Sequence, residues 1–207
     1  MNNAIGNPRD SPAPPPMAVR RREFVAREIE RAGMELFAER GYDNVSIGDI
    51  ATAAGVSRRT FFRHFPSKAD LIDAYATRLN LRVVAALHRR PADESAPDAI
   101  CNAILDTAEM TAEEQAASLL RNQVLLTMRP DLLTGALLQV EEEMVELISV
   151  RLNLNPLTDL EPRLLVWTVL AAARAATQTW IDLGGEGPLA EHLQLAFQYV
   201  LAGWRSI

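Results

Sequence analysis

Cysteine and long apolar runs are scarce in this chain of 207 residues, and each scarcity argues against a class of protein. The single Cys101 cannot close an internal disulfide, which agrees with a reducing compartment. No apolar run reaches the ~18 residues of a membrane-spanning helix, and the N-terminus lacks the apolar core of a secretion signal. We therefore expect a cytoplasmic protein with no membrane partner.

Catalytic and metal-binding patterns are also missing from the sequence. His64, His88 and His192 stand apart, and no pair of His or Cys has the spacing of metal ligands. There is no phosphate-binding loop and no nucleophile elbow. We expect neither enzymatic activity nor a bound cofactor or metal.

Charge is present but unevenly divided between the two halves of the chain. Residues 1–90 hold 15 Arg and Lys against 10 Asp and Glu, whereas residues 91–207 hold 6 against 17, giving the overall net charge of −6. A basic module can neutralise phosphates, and an acidic body is repelled by them. This polarity favours a nucleic-acid-binding module followed by a body that stays clear of the duplex.

Apolar residues recur at helical spacing along most of the chain, and neither strand alternation nor an internal repeat is visible. The Pro-rich residues 1–17 contain almost nothing to bury and predict a disordered arm. The basic run at 20–22 either begins a solvated helix or reaches phosphates or the minor groove. Farther along, Asp159 is expected to cap a long helix that ends near Leu183. The sequence therefore predicts an all-α protein.

The residues from Ser46 to Lys68 predict two short helices joined by a glycine turn. Ser46 and Asp49 have the spacing of a capping box at the start of the first helix. Gly55 supplies the turn, and Ser57 is placed to cap the second helix. This arrangement is typical of a helix-turn-helix, whose second helix enters the major groove of DNA.

Three polar residues occupy the first turn of that second helix. Arg58, Arg59 and Thr60 lie where a recognition helix presents side chains to base edges. Cations at a helix N-terminus oppose the helix dipole, so helix stability alone does not select two arginines there. Guanine and phosphate are the partners that arginine suits best. We expect Arg58 and Arg59, assisted by Thr60, to read the operator sequence.

The same block resembles the signature of TetR-type transcriptional repressors, over roughly Arg22 to Leu79. The positions that carry the resemblance are Ala51, Gly55, Val56, Ser57, Thr60, Phe61, Phe62, His64, Phe65, Ser67 and Lys68. The family most often has a tyrosine at the position of Phe62, with its hydroxyl on a phosphate, and a phenylalanine cannot form that bond. The resemblance implies phosphate contacts by His64 and Lys68, and Ser46 is expected to join them. The full set of expected DNA contacts is Ser46, Ser57, Arg58, Arg59, Thr60, Phe62, His64 and Lys68.

The resemblance also implies a division into domains and a dimer. We expect a disordered arm over residues 1–17 and a three-helix, helix-turn-helix DNA-binding domain over residues 18–78. A helical-bundle domain for ligand binding and dimerisation is expected over residues 79–207. In the family the last two helices of each subunit form a four-helix interface, to which Phe197 and Trp204 would offer apolar area. An intrachain core that needs no partner is the alternative.

The C-terminal half resembles a narrower group. The segments LLRNQVLL, MRPDLL, EPRLL and LAAARAATQTWID, between Ala117 and about Gly203, are similar to the C-terminal domain of the mycofactocin-system regulator. That group is associated with fatty acyl-CoA ligands. The resemblance implies an effector of this kind.

Polar side chains within the apolar C-terminal helices mark a candidate effector site. Arg121, Arg174 and Gln178 stand in apolar stretches, where an unpaired charge is costly. Each needs a carboxylate, a water or a ligand, and a buried salt bridge remains the alternative to a ligand. Trp167 suits a core position as well as a ligand wall. The residues expected to line the site are Arg121, Leu125, Leu137, Val140, Met144, Trp167, Leu170, Arg174 and Gln178.

These features predict a ligand-responsive repressor of the TetR type that binds a palindromic operator as a homodimer. A small amphipathic effector, such as a fatty acyl-CoA, is expected to release it. The alternatives are a different effector (a drug, a flavin or a fatty acid) and an architectural DNA binder without an effector. A C-terminal body of more than a hundred residues exceeds what dimerisation requires, and this favours a sensor.

Overall fold

A computed structural model of the chain describes residues 16–109, 112–125 and 134–204. Within these ranges the regular structure is helical and contains no strand, so the prediction of an all-α fold is confirmed. Among the described helices, none combines bilayer-spanning length with enough apolar character. Nearly all of the predicted disordered arm lies outside the described residues. The helices are α1 (Met17–Arg40), α2 (Ile47–Ala53), α3 (Arg58–His64), α4 (Lys68–Arg89), α5 (Ala96–Ala108), α6 (Ala112–Gln123), α7 (Thr134–Leu152), α8 (Glu161–Asp182) and α9 (Leu189–Trp204).

Serine caps set the starts of the two short helices. The hydroxyl of Ser46 accepts the N–H of Asp49 at 3.1 Å, and the Asp49 carboxylate accepts the N–H of Ser46 at 2.8 Å. Ser57 accepts the N–H of Thr60 at 3.0 Å. Gly55 in the turn has φ 65°, a conformation that other residues adopt only with strain. Local hydrogen bonds therefore build the helix-turn-helix that the sequence predicts.

The start of α8 differs from the expectation. Leu160 occupies the cap position without a side-chain hydrogen bond, so the prediction of Asp159 as the cap is wrong. The Asp159 carboxylate instead accepts the N–H of Asn155 at 2.7 Å, within the loop that precedes the helix. Pro162 in the first turn supports the helix start, because its missing N–H is not needed there.

A first hydrophobic cluster holds the N-terminal helices together, and we call it the N-terminal cluster. It contains side chains of α1, α2, α3 and the first half of α4, with Phe37, Phe61 and Leu71 fully buried. Val124 and Leu125, which follow α6, belong to the same cluster. The end of α6 thus packs within the core of the helix-turn-helix module.

A second cluster, the C-terminal cluster, joins the second half of α4 to α5, α7, α8 and α9. Its largest fully buried side chain is Trp180, whose indole N–H donates to the carbonyl of Gly187 at 3.0 Å. Helix α4 supplies Leu71, Ile72, Tyr75 and Ala76 to the first cluster and Val84, Ala86 and Leu87 to the second. Helix α4 therefore links the two cores. Because it belongs to both, the domain boundary at residue 78 stays a prediction.

The two faces of α9 differ in burial. Phe197 is 3% exposed and packs in the C-terminal cluster, so the expectation that it faces a partner subunit is wrong. The helical spacing of apolar residues on α9 shows that Phe197 is buried. It does not show whether Phe197 packs in the core of its own chain or against a partner subunit. Leu195 and Tyr199 lie on the outer face and are 52% and 76% exposed. The side chain of Trp204 lies outside the described part of the chain.

A candidate DNA-binding face and a candidate effector pocket

The first turn of α3 presents two exposed arginines. Arg58 and Arg59 are exposed, and neither forms an ion pair with a residue that the structure describes. Thr60 is half-buried, and its hydroxyl lies 2.9 Å from that of the capping Ser57. The two guanidinium groups are therefore available for a ligand, whereas the hydroxyls of Ser57 and Thr60 are already paired with each other.

The other expected phosphate contacts differ in their surroundings. Ser46 is exposed, and its hydroxyl donates to the Asp49 carboxylate at 2.5 Å. Phe62 is 50% exposed and meets the buried Phe61 edge to face. His64 is half-buried, and its Nε2 is withdrawn from solvent without a hydrogen-bond partner among the described residues. Of these side chains, His64 has a ring nitrogen without a partner among the described residues, and a ligand reaches that nitrogen only if the side chain moves.

Lys68 has partners inside the protein that the sequence did not reveal. Its ammonium donates to the carbonyls of Tyr42 and Val45, at 2.8 and 2.7 Å, and lies 4.3 Å from the centre of the Tyr42 ring. These bonds fix the loop between α1 and α2 to the start of α4. The expected phosphate contact stays a prediction, and it now depends on the one remaining N–H of the ammonium.

Two adjacent cavities lie where the C-terminal helices meet α4. The larger has a volume of about 440 Å³ and lies between α4, α7, α8 and the end of α6. The smaller, of about 230 Å³, extends towards α5 and α9. The two share Leu79, Asn80, Asn122, Ala173 and Thr177. These common walls make them compartments of one candidate effector pocket.

Several expected ligand residues line this pocket. Leu125, Trp167, Leu170 and Arg174 border the larger compartment, and Arg121 borders the smaller one. Asn80, Asn122 and Thr177 also border both compartments, and none of the three was expected from the sequence. Their signal was the same one that singled out Arg121: a polar residue at an inward position of a largely apolar helix. The pocket is therefore apolar with polar groups at its centre.

Two expected ligand residues belong to the core instead. Val140 and Met144 are 5% and 1% exposed and pack in the C-terminal cluster, and they are not among the described walls of either compartment. Helical periodicity identifies an inward face but not whether core or cavity lies behind it. The side chain of Leu137 is outside the described part of the chain.

Arg174 is exposed rather than buried, and Gln178 has a carboxylate partner, which is one of the alternatives to a ligand that the sequence left open. Arg174 is exposed at the rim of the larger compartment, where water solvates its guanidinium. Gln178 donates to the carboxylate of Asp182, one turn later, at 2.9 Å and lies outside the described walls of both compartments. Arg174 is exposed because the face of α8 that bears Trp167 and Arg174 has no packing partner among the described residues of the single chain.

Arg121 is half-buried at the wall of the smaller compartment. Its Nε is inaccessible to solvent and has no hydrogen-bond partner among the described residues. Its guanidinium carbon lies 6.0 Å from the centre of the Tyr75 ring. Burial raises the pKa of the Tyr75 hydroxyl, and the charges of Arg121 and Arg78 oppose that rise. Tyr75 is a member of the N-terminal cluster, so Arg121 lies between the pocket and the helix-turn-helix module.

A buried carboxylate continues this contact into α1. Glu30 is 5% exposed and pairs with Arg78 of α4, whose guanidinium also lies 5.4 Å from the centre of the Tyr75 ring. Burial raises the pKa of Glu30 above its ordinary value, although the nearby Arg78 acts to lower it. A chain of contacts therefore runs from Arg121 through Tyr75 and Arg78 to α1.

Comparison with protein families assigns both parts of the chain. The family model of bacterial regulatory proteins of the tetR family matches residues 29–75, and the model of the MftR C-terminal domain matches residues 94–205. The chain belongs to the TetR family of bacterial transcriptional regulators, as its resemblance predicted, and is not an enzyme. Its second domain is of the MftR type.

Two relatives match along almost their whole length. MftR of Mycobacterium tuberculosis, whose name assigns it to the regulation of mycofactocin biosynthesis, is 30% identical over 201 residues, 89% of this chain and 93% of the relative. The transcriptional regulator TcmR of Streptomyces glaucescens is 28% identical over 206 residues, 95% of this chain and 90% of the relative. The similarity therefore extends over both domains.

Solved structures support the fold. FadR of Thermus thermophilus, a TetR-family repressor in complex with lauroyl-CoA, is 26% identical, with a TM-score of 0.54 over 85% of this chain and 93% of its own. FadR of Bacillus subtilis, in complex with stearoyl-CoA, is 15% identical, with a TM-score of 0.66 over 86% of this chain and 98% of its own. The second likeness is one of fold alone.

Proposed function

We propose that this chain is a homodimeric repressor that binds a near-palindromic operator and leaves it when a fatty acyl-CoA occupies the C-terminal pocket. The observation that carries the proposal is the position of Leu125. This side chain borders the larger compartment of the pocket and also packs in the N-terminal cluster. A ligand that displaces it must therefore disturb the core of the helix-turn-helix module.

The DNA side of the proposal depends on α3. Arg58 and Arg59 are exposed and unpaired at the N-terminal end of that helix, which is the end that a helix-turn-helix presents to base edges. The basic excess of residues 1–90 supplies the attraction to phosphate. We assign base reading to Arg58 and Arg59, and phosphate contacts to Ser46, His64 and the remaining N–H of Lys68.

The dimer is supported by the apolar surface of the last two helices. Leu164 and Trp167 on α8 are 45% and 53% exposed, and Leu195 and Tyr199 on α9 are also exposed. Helices α8 and α9 pack against each other, and exposed apolar side chains on neighbouring helices are available to a partner subunit. A two-fold dimer presents two equal recognition helices, which explains a preference for a near-palindrome.

The effector class is supported by the shape and chemistry of the pocket. Its larger compartment, about 440 Å³, lies in the range of small-molecule sites, ~300–1,000 Å³. Leu79, Leu125 and Leu170 offer apolar contact to an acyl chain, whereas Arg121 can donate to a carbonyl oxygen and the exposed Arg174 to a phosphate. The acyl-CoA complexes of the two FadR proteins agree with this ligand class.

Footprinting on the operator, with and without stearoyl-CoA, tests the proposal. We expect two symmetric half-sites about one helical turn apart, or a multiple of it, whose protection is lost as the acyl-CoA is added. Protection of one asymmetric half-site would contradict the dimer. Protection that no acyl-CoA, fatty acid, flavin or drug removes would favour the alternative of an architectural DNA binder.

A further inference from the structure

Three polar side chains lie where the two compartments of the effector pocket meet. Asn80 of α4, Asn122 of α6 and Thr177 of α8 border both compartments, and all three are half-buried. We call them the polar waist. Apolar surface predominates on either side of it, with Leu125 and Leu170 in the larger compartment. Val83, Ile104 and Leu193 are among the apolar walls of the smaller one.

The polar waist contributes little to the fold. Asparagine and threonine are poorer helix formers than alanine or leucine, yet Asn80 lies near the middle of α4 and Thr177 in the interior of α8. The side-chain hydrogen bonds of Thr177 and Asn122 stay within their own helices, one turn away. They therefore hold no described neighbouring helix in place, and a role towards a ligand accounts for them better.

The polar waist offers both donors and acceptors to a ligand. The Thr177 hydroxyl donates to the carbonyl of Ala173 at 2.8 Å, so its oxygen is left to accept. Asn122 donates one amide N–H to the hydroxyl of Ser118 at 3.0 Å, so its second N–H and its carbonyl oxygen remain. The Asn80 amide forms no hydrogen bond with a described residue. A hydroxyl group both donates and accepts, whereas a carbonyl only accepts and a methylene does neither.

A ligand that spans both compartments must pass these three side chains. Half-buried polar groups at a cavity wall are hydrated in solution, and a ligand that displaces this water without replacing its hydrogen bonds loses affinity. We infer that the effector carries a hydroxyl group part-way along an otherwise apolar chain and that this hydroxyl binds at the polar waist. The inference rests on the proposed function and narrows its effector from an acyl-CoA to a hydroxyacyl-CoA.

Calorimetric titration of the full-length protein without DNA tests this assignment. The probes are stearoyl-CoA, 3-hydroxystearoyl-CoA and 12-hydroxystearoyl-CoA, which differ only in the hydroxyl and its position. We expect at least one hydroxylated thioester to bind about tenfold more tightly than stearoyl-CoA, the factor that one hydrogen bond of ordinary strength supplies. If neither binds more tightly than stearoyl-CoA, the inference is wrong.

Variants of the polar waist show whether these residues cause the preference. Asn80→Leu and Thr177→Val replace polar groups by apolar ones of similar size, and each should remove most of the preference for the hydroxylated thioester. The control is Thr179→Val, because Thr179 is exposed on the same helix and its hydroxyl donates to the carbonyl of Ala175 at 3.0 Å in the same way. This variant should keep the preference.

The ratio of the two affinities is the quantity to compare, since a general loss of folding or dimerisation weakens both ligands alike. A wild-type preference in both waist variants would overturn the inference. An equal loss of preference in Thr179→Val would also overturn it, because Thr179 lies outside the described walls of both compartments.

Free fatty acids separate this inference from the proposed function. Stearic acid is compared with its 3-hydroxy and 12-hydroxy forms in the same titration. A preference for a hydroxylated acid, in a protein that no acyl-CoA releases from its operator, would contradict the proposed acyl-CoA response and leave the inference intact. Release of the operator by stearoyl-CoA, without a preference for the hydroxyl in acids or thioesters, would leave the proposed function intact and overturn the inference.

Discussion

Lys68 shows how one side chain can have a role that its sequence context conceals. The family resemblance places it at a phosphate, yet two of its N–H groups donate to the carbonyls of Tyr42 and Val45. Those acceptors lie 26 and 23 residues earlier in the chain, so no local pattern could predict the contact. The ammonium both fixes a loop and keeps one N–H for DNA.

Replacing Lys68 by methionine separates these two roles. Lys68→Met should lower the free energy of unfolding by about 1–3 kcal/mol, because two partly buried carbonyls lose a charged donor. It should also reduce the salt slope of DNA binding by about one if the third N–H contacts a phosphate. Urea unfolding and DNA titrations measure the two effects. An unchanged slope with reduced stability would restrict Lys68 to the structural role, and unchanged stability would exclude that role.

Lys68 donates to two backbone carbonyls, whereas Arg58 and Arg59 are exposed and form no ion pair with a described residue. Replacing either by alanine should cost about 1–3 kcal/mol of operator binding and relax the preference at one base pair. Competition among operator variants with single base changes measures this. If binding to operator and to random DNA fell equally, the two arginines would be phosphate contacts and the assignment of base reading would be wrong.

At the scale of helices, the sequence predicts best what local chemistry determines. The capping pairs of Ser46 with Asp49 and of Ser57 with Thr60 are present as expected, because both members lie within one turn. Asp159 does not cap α8, because its carboxylate accepts the N–H of Asn155 in the preceding loop instead. Val140 and Met144 were expected to contact the effector, but they pack in the C-terminal cluster. Helical periodicity alone does not distinguish a core position from a cavity wall.

The Glu30–Arg78 pair joins α1 to α4 and gives a pH dependence. Burial raises the pKa of Glu30, so the native state keeps a proton that the unfolded state has lost. This contribution to stability is complete below the ordinary pKa of 4.5 and is lost as pH rises through the raised value. In the wild-type protein we expect this group to make the free energy of unfolding fall as pH rises above 4.5. Glu30→Gln should remove that fall. The control is Glu35→Gln, which changes the more exposed carboxylate paired with Arg31.

Chemical unfolding of the wild-type protein and both variants between pH 4 and pH 8, about the range in which carboxylates and histidine titrate, measures this dependence. Glu35→Gln should keep the wild-type profile. Parallel profiles for wild type and Glu30→Gln would contradict a raised pKa of Glu30 in the native state.

The end of α6 is the element that touches both the pocket and the helix-turn-helix module. Leu125 is 7% exposed, so Leu125→Ala should reduce the free energy of unfolding by about 2–5 kcal/mol. It should also weaken the effect of stearoyl-CoA on operator binding, because the shared side chain is shortened. Leu157→Ala, at a position 81% exposed in the loop before α8, is the control for stability. Undiminished release by stearoyl-CoA in Leu125→Ala would show that coupling uses another route.

At the scale of the whole molecule, charge and architecture agree. The basic excess is confined to residues 1–90, and the acidic excess to residues 91–207. Helix α4 contributes to both hydrophobic clusters, so it can carry a displacement from one to the other. The sequence could predict the polarity and the helical fold. It could not predict the contact between Arg121 and Tyr75, which depends on tertiary packing.

The proposed function requires that occupancy of the pocket and binding of the operator are energetically coupled. A ligand shifts the equilibrium only by as much as its affinity differs between the free and DNA-bound forms, and the coupling must be reciprocal.

Calorimetric titration of stearoyl-CoA into the protein at fixed salt, with and without saturating operator, measures this coupling directly. We predict that operator DNA lowers the affinity for stearoyl-CoA about 5- to 150-fold, the range that a coupling of ~1–3 kcal/mol produces. Equal affinity for stearoyl-CoA in the presence and absence of operator would contradict the proposed release of DNA by an acyl-CoA.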